Sequence, residues 1–169
     1  VLSFGSVLIV SRVLTPMEIG VFSVSVAFVG LAHLLRDFGV GSYLVQAKEV
    51  SRESFAAAFS ATLYSSWFLA LLLYSGKGFI AELYDHQGIA DLLTVLSINF
   101  LILPFATPIL AMLRREMKFK HLAASYTLES FVQASVTVGL ALAGESYMSM
   151  AWGSLIAHIS KLILLNIMR

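Results

Sequence analysis

Glu129 stands ten residues past Phe119 in a stretch of low charge, with Tyr126 three residues before it and Gln133 four residues after it. On an α-helix that spacing puts all three on one face. A carboxylate between a phenol and an amide can meet a cation, carry a proton, or make a structural hydrogen bond to a neighbouring helix. Further ionisable residues interrupt apolar runs at Arg12, at Arg36-Asp37, and at His158 and Lys161. Arg36 and Asp37 are adjacent, so on a helix they point about 100° apart. Gly39 and Gly41 follow and weaken the helix there. The pair reads either as a snorkelling arginine at a helix break or as a gate that closes on another helix. His158 and Lys161 share a face, and Lys161 is expected to snorkel towards the nearer membrane surface. Arg12 is expected at an interface for the same reason, or lining the mouth of a cavity.

Two prolines add a mechanical feature. Pro104 cannot bond the carbonyl of Phe100, and Pro108 cannot bond that of Pro104, so the segment carrying them is expected to bend and could serve as a hinge. Asp85-His86 is too small a set of ligands for a coordination shell, so no metal is expected. No phosphate-cradling glycine loop is present and no cofactor is called for.

These residues are set in a chain of 169 residues that is 59% hydrophobic and 12% charged, with a mean hydropathy of +0.87. Soluble domains carry about a quarter charged residues, so this composition belongs to an all-α membrane protein. A net charge of +1 argues against nucleic acid as a partner. There is no cysteine, which excludes disulfides and thiolate metal sites. A spanning helix takes about 20 apolar residues, and on that ruler six segments stand out: 1–14, 17–47, 54–76, 90–113, 119–143 and 147–168. Both ends are apolar, so the chain is expected to be a fragment. Residues 77–88 carry Phe79, Ile80, Leu83 and Tyr84 at helical spacing and suit a short helix lying in the interface.

Basic residues orient the spans. Lys48, Arg52, Arg114, Arg115, Lys118, Lys120 and Arg169 fall on one side, with only Arg12 and Lys77 on the other. The first side is expected to be cytoplasmic. Small residues recur every fourth position at Ala57, Ala61 and Ser65 and at Ser135, Gly139 and Ala143, a spacing that allows close helix approach in lipid.

The stretch Arg12-Val13-Leu14-Thr15-Pro16-Met17-Glu18-Ile19-Gly20 resembles the opening of polysaccharide and O-antigen flippases, within the multidrug/oligosaccharidyl-lipid/polysaccharide exporter superfamily. Asp37-Phe38-Gly39 followed by Leu44-Val45-Gln46, and Leu113-Arg114-Arg115-Glu116-Met117-Lys118-Phe119, resemble two later segments of the same family. Ile19 departs from the aromatic residue usual before the glycine. The resemblance implies that the six helices form the N-terminal lobe of a two-lobe transporter in the bacterial inner membrane. It implies transport of undecaprenyl-pyrophosphate-linked oligosaccharide by alternating access, with membrane lipid and polysaccharide polymerase or assembly proteins as partners. Glu129, Gln133, Tyr126, Arg12, Arg36 and Asp37 are then candidates for the substrate or ion pathway, and no catalytic residue is expected. A cation-coupled drug exporter of the same superfamily would share the helix count. A membrane-embedded polymerase or glycosyltransferase would need a larger outer loop than 77–89.

Overall fold

The computed structural model describes residues 15–36 and 51–168, so Arg12, Asp37 and the expected segment 1–14 lie outside the described residues. All the secondary structure described is helical: α1 (Pro16–Arg36), α2 (Arg52–Leu83), α3 (Gly88–Arg115), α4 (Phe119–Leu142) and α5 (Met148–Ile167). By length and composition α1, α2, α3 and α5 can each cross a membrane. α4 is long enough and falls short in apolarity. Its apolar stretch is interrupted chiefly by Glu129 and Gln133, with Ser125, Thr127, Ser130, Ser135 and Thr137 spread among the apolar residues.

Local chemistry sets the helix ends. Thr15 and Glu18 form a capping box, with the Thr15 N–H donating to Glu18 Oε2 at 2.7 Å and the Glu18 N–H donating to Thr15 Oγ1 at 3.4 Å. Pro16 sits at the first helical position, where its missing N–H costs nothing. Ser51 caps α2 by accepting from the Ser54 N–H at 3.1 Å. The three turns from α2 to α5 share one closure. Asp85, Met117 and Gly144 take positive φ, and the N–H of the next residue bonds back five positions, to Ala81, Leu113 and Leu140. Turns this short make sequential helices antiparallel neighbours.

α2 is one helix of 32 residues, about 48 Å long at 1.5 Å per residue. The separate interfacial helix expected over 77–88 is instead the last turns of α2. Gly76 and Gly78 each weaken a helix by about 1 kcal/mol. Burial of Ile80 and Ala81, and a 2.9 Å hydrogen bond from Lys77 Nζ to Thr94 Oγ1 on α3, offset that weakness.

α3 is the centre of the bundle and touches every other described helix. Leu92, Leu93 and Phe100 are wholly buried along it, packed with Leu69, Leu73 and Ile80 from α2, Val29 from α1 and Leu155 from α5. α2 and α3 form one tight hairpin, and α4 and α5 the other. Trp67, Phe68, Leu71 and Leu72 are exposed on the outside of α2, a face suited to lipid.

The small-residue stripes differ from those expected. On α2 the buried column is Ala58, Thr62, Ser66 and Ala70, one position along from Ala57 and Ala61, which are exposed. On α4, Ser135 and Gly139 are exposed, and a side chain at Gly139 would meet nothing within 4 Å. The close approach between α4 and α5 is made by Gly153, whose Cα faces Thr137 Oγ1 and the Gln133 carbonyl.

Candidate functional site

Glu129 lies about 15 Å along α4 from Phe119 and points into the α4–α5 interface. There Lys161 Nζ donates to Glu129 Oε1 at 2.6 Å. The lysine side chain is 6% exposed and the glutamate side chain 17%. Lys161 therefore does not snorkel to the nearer membrane surface as expected. Helical side chains lean towards the N-terminus of their own helix, and Lys161 is near the C-terminal end of α5. That lean carries the ammonium back into the membrane, onto a carboxylate that would otherwise be alone there.

The same oxygen faces His158 Nε2 at 3.6 Å. The other ring nitrogen, Nδ1, sits 2.6 Å from the Ser154 carbonyl one turn earlier. Ser154 Oγ in turn accepts from Asn99 Nδ2 of α3 at 3.1 Å. Ser154, His158 and Lys161 thus make one polar stripe on α5, and Glu129 and Asn99 close on it from two helices. Arg36, at the end of α1, is near enough to act electrostatically on the His158 ring.

Tyr126 forms the edge of this cluster. Its ring lies 5.7 Å from Lys161 Nζ, and its hydroxyl accepts from Arg114 Nη2 at 2.7 Å. Arg114 closes α3, so Tyr126 links the mid-helix ion pair to the basic end of the bundle. Gln133 points outwards and is exposed. The outer face of α4 mixes small and polar residues (Ala123, Ala124, Tyr126, Thr127, Gln133, Ser135 and Gly139) with the exposed Phe119, Phe131 and Leu142.

Pro104 and Pro108 are both fully buried within α3, and the helix continues through them to Arg115. Among the described residues no group of three or more His, Asp or Glu side chains could hold a metal ion.

From the sequence, Glu129, Tyr126 and Gln133 stand out on one face, and Arg36 reads either as a snorkelling arginine at a helix break or as a gate residue. Lys161 and His158 stand out less, and Asn99 and Ser154 not at all. The available signal was the spacing Ser154–His158–Lys161, which puts a hydroxyl, an imidazole and an amine on one stripe.

Residues 9–169 match the family model described as "Polysaccharide biosynthesis protein". The chain is similar to the lipopolysaccharide biosynthesis protein WzxC of Escherichia coli, with 21% identity over 68% of this chain and 23% of the relative. An uncharacterized membrane protein in the cps region of Klebsiella pneumoniae is 20% identical over 98% of this chain and 34% of its own length. The teichuronic acid biosynthesis protein TuaB of Bacillus subtilis is 26% identical over 54% of this chain and 19% of its own. The chain thus spans at most about a third of these curated relatives. No solved structure matches it.

Proposed function

This chain belongs to the polysaccharide biosynthesis protein family, and we propose on that footing that it forms the N-terminal helical lobe of a flippase for lipid-linked oligosaccharide. The substrate class is an undecaprenyl-pyrophosphate-linked glycan, moved across the bacterial inner membrane by alternating access, with the basic helix ends in the cytoplasm. A sugar and a pyrophosphate cross hydrocarbon only through a wet passage that supplies cations and hydrogen bonds. The buried Glu129–Lys161 pair carries this reading. Insertion scales put a single charged side chain at the centre of a span at about 2.5–3.5 kcal/mol, so a matched pair there calls for a use.

In the resting protein Glu129 neutralises Lys161. An approaching pyrophosphate competes for the ammonium, and Glu129 then takes up a proton or another cation. The small and polar positions on the outside of α4, Thr127, Gln133 and Ser135 among them, are the wall along which the sugar moves. Glycan export by cells carrying Glu129→Gln in the full-length protein tests this reading. Export per molecule of protein in the membrane is expected to be lost, and wild-type export would remove Glu129 from the pathway.

A further inference from the structure

A pocket of about 340 Å³ opens at the end of the bundle where α2 and α4 begin and α3 and α5 finish. Its wall is hydrocarbon, with Phe55 from α2, Met112 and Leu113 from α3 and Met168 just past α5. Its rim is charged, with Arg52, Glu116 and Lys118. Lys118 is held by Glu116 at 2.6 Å. Arg52 has no ion-pair or hydrogen-bond partner among the described residues. Among the described residues, two positive charges against one negative leave the rim with one net positive charge, carried by Arg52.

We propose that this pocket binds one anionic phospholipid of the adjoining leaflet, its phosphate on Arg52 and its upper acyl chain along Phe55, Leu113 and Met168. Basic pockets between spanning helices are where lipid headgroups are recognised, because hydrocarbon and charge meet there at the depth of a phosphate. A soluble anion would satisfy Arg52 and leave the apolar wall in water. A zwitterionic lipid would cover the wall and bring no net charge to the rim. A single phosphodiester on a hydrocarbon chain matches both parts. The pocket is separate from the Glu129–Lys161 cluster, and the assignment holds whether or not the protein transports glycans.

The test uses full-length protein purified in detergent and titrated with phosphatidylglycerol or phosphatidylethanolamine, bound lipid being counted by native mass spectrometry. One phosphatidylglycerol should bind about five-fold more tightly than phosphatidylethanolamine, the preference a single arginine near a lipid phosphate confers. Arg52→Gln, at an exposed position, should bring phosphatidylglycerol down to the level of phosphatidylethanolamine. Leu113→Trp fills the wall without changing charge and should weaken both lipids. Equal binding of the two lipids by wild type, or no effect of either substitution, would overturn the assignment. Displacement of bound phosphatidylglycerol by millimolar inorganic phosphate would also overturn it, since the rim alone would then be the site.

Discussion

Lys161 reaches Glu129 across 32 residues of sequence, and its ammonium rests 2.6 Å from Oε1 with the imidazole of His158 on the same oxygen. The two helices that carry these groups are the second hairpin of the bundle, so the contact is both an ion pair and a clasp between α4 and α5. Removing one member of a buried pair costs about 3–5 kcal/mol, because the other charge is left uncompensated, whereas replacing both with apolar groups is often neutral. Glu129→Leu is therefore expected to lower the melting temperature of the purified protein sharply. Glu129→Leu with Lys161→Met should restore the melting temperature while glycan export stays lost. Export recovering together with stability would show that the pair serves folding alone.

Gly153 and Gly139 offer a matched comparison of packing. A Cβ at Gly153 would run into Thr137 Oγ1, with the Gln133 carbonyl 3.2 Å away, whereas a Cβ at Gly139 would enter open space. Gly153→Val should force α4 and α5 apart and deplete folded protein, by roughly the 1–3 kcal/mol typical of overpacking. Gly139→Ala should be silent or slightly stabilising in the same thermal scan. Equal behaviour of the two variants would contradict the close approach at Gly153.

The chain has no cysteine, so single introduced thiols report position cleanly. Ser51, Gln87 and Lys118 are all exposed at helix ends. An impermeant thiol reagent added to intact cells should label Gln87→Cys and spare Ser51→Cys and Lys118→Cys. The reverse pattern would invert the assignment of the basic side to the cytoplasm.

Pro104 and Pro108 remove two backbone donors within little more than one turn of the helix at the centre of the bundle. Replacing both with alanine should stiffen α3 and slow export with little change in protein abundance. Unchanged export would show the prolines to be incidental to movement.

Much of this architecture is legible in the sequence, because long apolar runs and their punctuation by Thr15-Pro16 and by the charged turns are local signals. What depends on a partner helix is not. Ala57 and Ala58 begin two small-residue columns that differ by one position, about 100° of rotation, and only the placement of α3 decides which of them is buried. Lys161 looks like a surface anchor until Glu129 is set opposite it. The continuation of α2 through Gly76 and Gly78 depends likewise on Thr94 of α3 receiving Lys77. Glu129 itself was legible because an acid ten residues inside a span is conspicuous without any neighbour.

The modest apolarity of α4 has a consequence for how the protein is made. During synthesis α4 leaves the ribosome first, with Glu129 bare, and Lys161 follows only with α5. Alone at the insertion channel, α4 has a carboxylate and a row of hydroxyls to place in lipid and no counter-charge to accompany them. The two helices are thus expected to enter the bilayer together, α4 waiting for its cation. In a cell-free system with membranes, chains stopped at Tyr147 should leave α4 accessible to protease, chains continuing to Met168 should protect it, and Lys161→Leu in the longer chain should restore the accessibility.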